Sequence, residues 1–227
     1  MIEMTSKELR EDLLEFVEHE GKIRFALAPI KRLPKGLPGT WRNILGADDP
    51  VKTVLEELWF PWRDLLPETI AQLEEKLQYI GLLQTNQVPF SLVYVFEDEE
   101  EPIYSRGYPC QPIERDEAEK LPNHFLDLYK IHNGWTDIPG PMGWLPSEYW
   151  FDLGVLYEEE YSEIIPDVRL KDFLVICNSG GSGFLGFDLS KSPPVGLLCS
   201  EKEPVQVAPD VVRTLDEWMA DLLEDLT

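Results

Sequence analysis

Between Phe173 and Ala208 the chain runs through four short apolar stretches in close succession: FLVICN (Phe173–Asn178), FLGFDL (Phe184–Leu189), VGLLCS (Val195–Ser200) and PVQVA (Pro204–Ala208). Each has the length and the apolar content of a strand, and turn-forming residues separate them. The turn SGGSG (Ser179–Gly183) closes the first two into a hairpin. A last amphipathic helix is expected from Asp210, with Val211, Leu215, Trp218, Met219 and Leu222 on its inner face. A run of strands closed by a helix constrains this part of the chain to a sheet with helical cover.

Upstream of these strands lies LPNHFLDLYKIHNGWTD, Leu121 to Asp137. Ile113–Lys120 reads as a short helix that breaks before Pro122. Pro122 suits the first turn of the next helix, where its missing N–H costs nothing. From there Phe125, Leu128, Tyr129 and His132 recur on one helical face, and Asn133-Gly134 stops the helix because both residues tolerate positive φ. The following segment, MGWLPSEYWFDL, is aromatic and irregular.

The region before Gln111 is organised differently. A helix is expected from Ser6 to His19, with Thr5 and Glu8 as a capping box and Leu9, Leu13, Phe16 and Val17 on one face. IRFALA (Ile23–Ala28) reads as a strand. KRLPKGLPGTW carries two prolines and two glycines and reads as loop. Helices follow near Pro50–Leu58 and Glu68–Ile80, the second with Ile70, Leu73, Leu77 and Ile80 in a stripe that Gly81 closes. FSLVYVF (Phe90–Phe96) is a strand. The acidic run Glu97–Glu101 reads as a solvated turn, since it lacks the alternating ligands and the glycine of a calcium loop. Proline and glycine in GYPCQPI mark a boundary, dividing the chain into residues 1–111 and 112–227.

Charge narrows the function. The net charge is −23, with 20 acidic and 12 basic residues in 1–111 and 23 acidic against 8 basic in 112–227. Such a chain is a poor ligand for nucleic acid, whose phosphates are bound through Lys and Arg, and for anionic membranes. It favours a cationic protein partner through steered association. The N-terminal sequence has no signal-peptide pattern, and no apolar run is long enough to span a bilayer. Three cysteines without a CxxC argue against a disulfide framework and a zinc site, so a cytoplasmic location is expected.

The residues that suggest chemistry fail on spacing. His124 and His132 stand eight apart, roughly 12 Å along a helix, too far to share a metal ion. NSGGSGFLG precedes a strand rather than a helix and lacks the lysine of a phosphate loop. Cys177 lies inside an apolar strand, where a thiol is inert. No catalytic residue, metal site or cofactor is therefore expected. Aromatic residues beside carboxylates instead suit a binding face: Asp137, Trp144, Tyr157, Glu158, Glu159, Glu160, Tyr161 and Glu163 are the candidates.

Taken in order, the motifs of the second part resemble the SUKH superfamily in its Smi/Knr-type, cell-wall-regulator-like branch. The resemblance rests on Glu117–Lys120, Leu121-Pro122, the helix from Phe125 to Asn133-Gly134 and Trp135, the turn Ser179–Gly183, Asp188-Leu189, and the helix over Thr214–Leu223. Residues 1–111 carry no such likeness and form an additional N-terminal α/β region. The resemblance implies an α+β fold with a mixed, curved, antiparallel-rich sheet flanked by helices. It also implies a bacterial immunity protein that occludes a cognate toxin, often a nuclease, without catalysis. A regulatory or scaffold module without a toxin partner is the alternative.

Overall fold

The computed structural model describes residues 6–96, 102–138, 140, 142–157, 169–179, 183–200 and 203–224. The fold is α+β, with seven α-helices and eleven strands among the described residues. The chain divides into two compact units. One comprises residues 1–109 with 137–140 and 219–227; the other comprises 110–136 with 141–218.

The first unit is a four-stranded antiparallel meander covered by helices on both faces. Its elements are α1 (Ser6–Val17), β1 (Arg24–Leu27), α2 (Gly39–Gly46), α3 (Pro50–Val54), α4 (Pro67–Lys76), β2 (Leu77–Gln84), β3 (Ser91–Phe96) and β4 (Ile103–Gly107). All six residues of β3 are buried, because neighbouring side chains point to opposite faces and each face has its own cover. Val93 and Val95 meet Leu9, Leu13 and Val17 of α1, together with Phe25, Leu83 and Tyr104. Tyr94 points the other way, and its hydroxyl accepts a hydrogen bond from Trp59 Nε1 at 3.1 Å. Asp49 caps α3 by accepting from the Lys52 amide at 3.0 Å, with Pro50 in the first turn. The rest of the expected Pro50–Leu58 helix runs on as a π-helical stretch, Leu55–Trp59.

Three expectations for this region are corrected. The helix read over Glu68–Ile80 stops at Lys76, and Leu77 turns extended with ψ 119°. Residues 77–84 form β2 instead, paired on one side with β1 and on the other with β3. Gly81 is not a helix stop; it lies in that strand, where a Cβ would come within 2.5 Å of the Phe25 ring. Within the segment read as loop, helix α2 begins at Gly39 and buries Trp41, Ile44 and Leu45. The capping box with Thr5 and the acidic run Glu97–Glu101 lie outside the described residues.

The second unit contains α5 (Asn123–Leu126), β5 (Trp135–Asp137, whose last residue belongs to the first unit), β6 (Gly143–Trp144), β7 (Phe151–Asp152), α6 (Leu153–Tyr157), β8 (Phe173–Asn178), β9 (Gly183–Asp188), β10 (Val195–Ser200) and β11 (Glu203–Val207). Helix α7 (Val211–Glu224) lies in it as far as Trp218. The strand order is β5-β6-β8-β9-β10-β11, with β7 also on β8, and the neighbours are antiparallel. The four apolar stretches between Phe173 and Ala208 are β8 to β11. Asp210 starts α7 by accepting from the amides of Val212 and Arg213, each at 3.1 Å. Val211, Leu215 and Met219 of its expected inner face are buried, while Trp218 and Leu222 are half-buried. Gly196 lets this helix approach: a Cβ there would lie 2.2 Å from Val211 Cγ2 and 2.3 Å from Ala208 O.

The helices before the sheet are shorter than their sequence pattern suggests. Ile113–Lys120 is helical only as a 3-10 stretch, Asp116–Lys120. Pro122 is the N-cap residue of α5 rather than its first turn, and its carbonyl accepts from Phe125 and Leu126. After one α-helical turn the chain tightens to 3-10 over Asp127–Lys130. The apolar face survives the change, because Phe125, Leu128, Tyr129 and His132 are all buried.

Candidate protein-binding site

The NG corner of the second unit is a clamp for the segment that follows it. Gly134 has φ +94°, and a Cβ there would sit 2.4 Å from Pro146 N. Only glycine combines that backbone with that approach. Asn133 does not take positive φ as expected; its side chain does the work instead. Its Oδ1 accepts from the Ser147 amide at 3.1 Å, and its Nδ2 donates to Glu148 Oε2 at 2.6 Å. Gln111 Nε2 donates to the same carboxylate oxygen at 2.8 Å. Tyr129 completes the corner: its hydroxyl donates to Leu145 O at 2.9 Å and accepts from Trp150 Nε1 at 2.7 Å. Phe125 packs edge-on to Tyr129 and Phe187, with ring centroids 5.6 and 5.1 Å apart.

Held this way, residues 145–150 keep Trp150 inside and present Tyr149 outside, 56% exposed. Arg115 grips the same segment, donating from Nη1 to Trp150 O at 2.6 Å and from Nε and Nη2 to the two oxygens of Glu117. Hydrogen bonding to Arg115 holds the Glu117 carboxyl below the ordinary carboxylate range. Asp152 is pushed the other way, first by burial and then by the negative charge of Glu117, with Asp172 adding to it. Helix α6 follows at once. Its Leu153 is buried and its Val155 is 77% exposed.

Of the predicted binding residues, Asp137 and Trp144 have described side chains, and neither is exposed. Trp144, expected on the partner surface, is 0% exposed. It lies in β6 between β5 and β8, pairs with Trp135 and packs against that ring at 6.3 Å. An interior strand of a covered sheet has no free face, so Trp144 is core. Asp137 is half-buried in the first unit, where its Oδ1 accepts from Ser105 Oγ at 2.9 Å. The side chain of Tyr157 and the whole of Glu158, Glu159, Glu160, Tyr161 and Glu163 lie outside the described residues. Sequence reasoning passed over Tyr149 and Val155; neither differs in composition from the buried apolar residues around it.

The motif residues have structural work to do. Leu121, Asn133 and Trp135 are buried, and Pro122, as N-cap, starts α5. Asp188 is also buried and accepts from the Ser190 amide at 2.9 Å and the Ser190 hydroxyl at 2.6 Å, fixing the turn after β9. Gly183 accepts from the Ser179 amide at 3.0 Å across the hairpin; Gly180, Gly181 and Ser182 between them lie outside the described residues. His124 is exposed and His132 buried, so the two histidines do not meet. Burial pushes up the thiols of Cys177 and Cys199, the latter to about 12. Among the described residues no group of three His, Cys, Asp or Glu could hold a metal ion. Among them, too, no helix is long and apolar enough to cross a membrane.

No curated protein and no solved structure matches the chain. A family model does match, and it covers the NG corner, the Asp188 turn, the whole β8–β11 meander and most of α7. Through residues 111–220, the chain carries a domain of the SMI1 / KNR4 family (SUKH-1).

Proposed function

We propose that the chain is a non-catalytic binding protein of the immunity type, whose acidic second part covers the active site of a basic toxin domain such as a nuclease. The observation that carries this reading is the charge of the part that holds the SUKH-1 domain. Residues 112–227 have 23 acidic and 8 basic side chains, and 8 − 23 gives −15. A toxin that acts on nucleic acid needs a cationic cleft, and an acidic surface is its electrostatic complement. Apolar anchors supply affinity where charge supplies steering. Tyr149 and Val155 are exposed just before the acidic stretch Glu158–Glu163 in the sequence. We assign the contact to these two with Tyr157, Glu158, Glu159, Glu160, Tyr161 and Glu163. The same reading places the protein in the cytoplasm, with the toxin it restrains.

The test begins with the gene neighbourhood: if a toxin is encoded beside the gene for this chain, the two are co-expressed. Cells that express the toxin with this chain are expected to grow, and the two proteins to co-purify. Replacing Tyr149 and Val155 together by aspartate is expected to abolish both effects while the protein stays folded. Growth arrest despite abundant folded protein contradicts the proposal.

A further inference from the structure

The stretch Asp137–Gly140 belongs to the first unit, although residues up to Thr136 and from Pro141 onward belong to the second. Two adjacent residues hold it there in different ways. The Ile138 amide donates to Tyr104 O at 2.9 Å, and its side chain packs against the cluster of Leu9, Leu13, Val17, Phe25, Leu83, Val93, Val95 and Tyr104. Asp137 places its carboxyl against β4, accepting from Ser105 Oγ at 2.9 Å, and Ser105 is fully buried. Among the described residues this one hydroxyl is its donor, a thin set for a carboxylate withdrawn from water.

We propose that Asp137 and Ile138 form a pH-sensitive strap on the first unit, which holds β4 tightly when the Asp137 carboxyl carries a proton and loosens when that proton leaves. Burial drives the carboxyl up to about 6, and the Ser105 hydrogen bond opposes the rise. Among the described residues, no charged neighbour contributes to the shift. On the Ser105 face of β4 stand Ile103 and Gly107, and Tyr94 is paired opposite Ser105 on β3 with its oxygen taken by Trp59. Tyr104 and Arg106 alternate to the other face, where the Tyr104 hydroxyl donates to Leu9 O at 3.3 Å and is influenced by the charge of Asp12, and Glu20 pairs with Arg106. A carboxyl raised on docking favours the docked state fully below its ordinary range. That advantage fades as pH rises through about 6. The strap therefore weakens as pH rises between those values, and the loss is nearly complete at neutral pH.

Hydrogen exchange of the Ile138 amide in the full chain reads this directly. After correction for intrinsic chemistry, its opening equilibrium is expected to rise about tenfold between pH 5 and pH 7.5 by linkage. Asp137→Asn keeps the shape and removes the titration, so its opening is expected to be flat over the same range. A wild-type slope no steeper than that of Asp137→Asn overturns the proposal. Should the variant fold poorly, the carboxyl carbon shift of Asp137 in the unmodified protein decides. A midpoint near 6 supports the strap, and one in the ordinary aspartate range overturns it.

Discussion

Each unit buries a polar arrangement, and the two are built on opposite principles. In the second unit the Asn133 amide is neutral and paired at both ends, with the Ser147 amide and the Glu148 carboxylate. In the first, Arg106 and Glu20 form an ion pair at 2.8 Å with both side chains under a tenth exposed. That pair is incomplete: Glu20 Oε2 and the Nε and Nη2 atoms of Arg106 meet no hydrogen-bond partner among the described residues. A satisfied amide fixes a loop at small desolvation cost. A half-satisfied ion pair gives up hydration for both charges and recovers only part of it. The Asn133 corner should thus be a net stabiliser, while the ion pair should be costly to break and cheap to replace.

The largest expected effect breaks the ion pair on one side. Arg106→Met alone leaves a buried carboxylate and is expected to cost about 3–5 kcal/mol in urea unfolding. Adding Glu20→Leu should recover most of that loss. If the double variant is as unstable as the single, the pair is a true stabiliser and the contrast between the units fails. Next comes Gly134→Ala, which combines positive φ with the approach of Pro146 and is expected to cost about 2–3 kcal/mol. Asn133→Ala strands the Ser147 amide and should cost about 1–2 kcal/mol by the same assay.

The smallest effect is at the rim of the clamp, where Arg115 and Glu117 are 24% and 29% exposed. Glu117→Gln is expected to cost less than about 1 kcal/mol. Its carboxyl is held low by Arg115, so the contribution is present at neutral pH and lost as pH falls through and below the usual carboxylate range. A variant whose deficit persists unchanged in acid would show that this ion pair contributes nothing.

The same contrast appears in how far each unit could be read from its residues. β8, β9, β10 and α7 were legible because their signals are local: apolar runs of strand length, turns between them, and an aspartate that caps a helix. Leu77–Gln84 was read as the end of a helix because Ile70, Leu73, Leu77 and Ile80 fall at helical spacing. What makes it a strand is pairing with Arg24–Leu27, far away in sequence, and with β3. Strand β4 escaped notice because IYSRG buries a serine and an arginine where a strand signal needs apolar residues. The candidate site was legible only as a neighbourhood. Aromatic content marked the stretch after Trp135, but sequence does not separate Trp144, locked between two strands, from Tyr149, turned outward one loop later. That separation comes from the clamp of Asn133, Gly134 and Tyr129.

The central claim is that the acidic second part draws in a cationic protein. The most direct measurement is the association rate of the purified chain with the basic toxin domain that co-expression identifies, followed by stopped flow from about 20 to 500 mM salt. We predict a fall of about tenfold or more across that range, with a much smaller change in the dissociation rate. An association rate that stays constant from low to high salt would contradict the account.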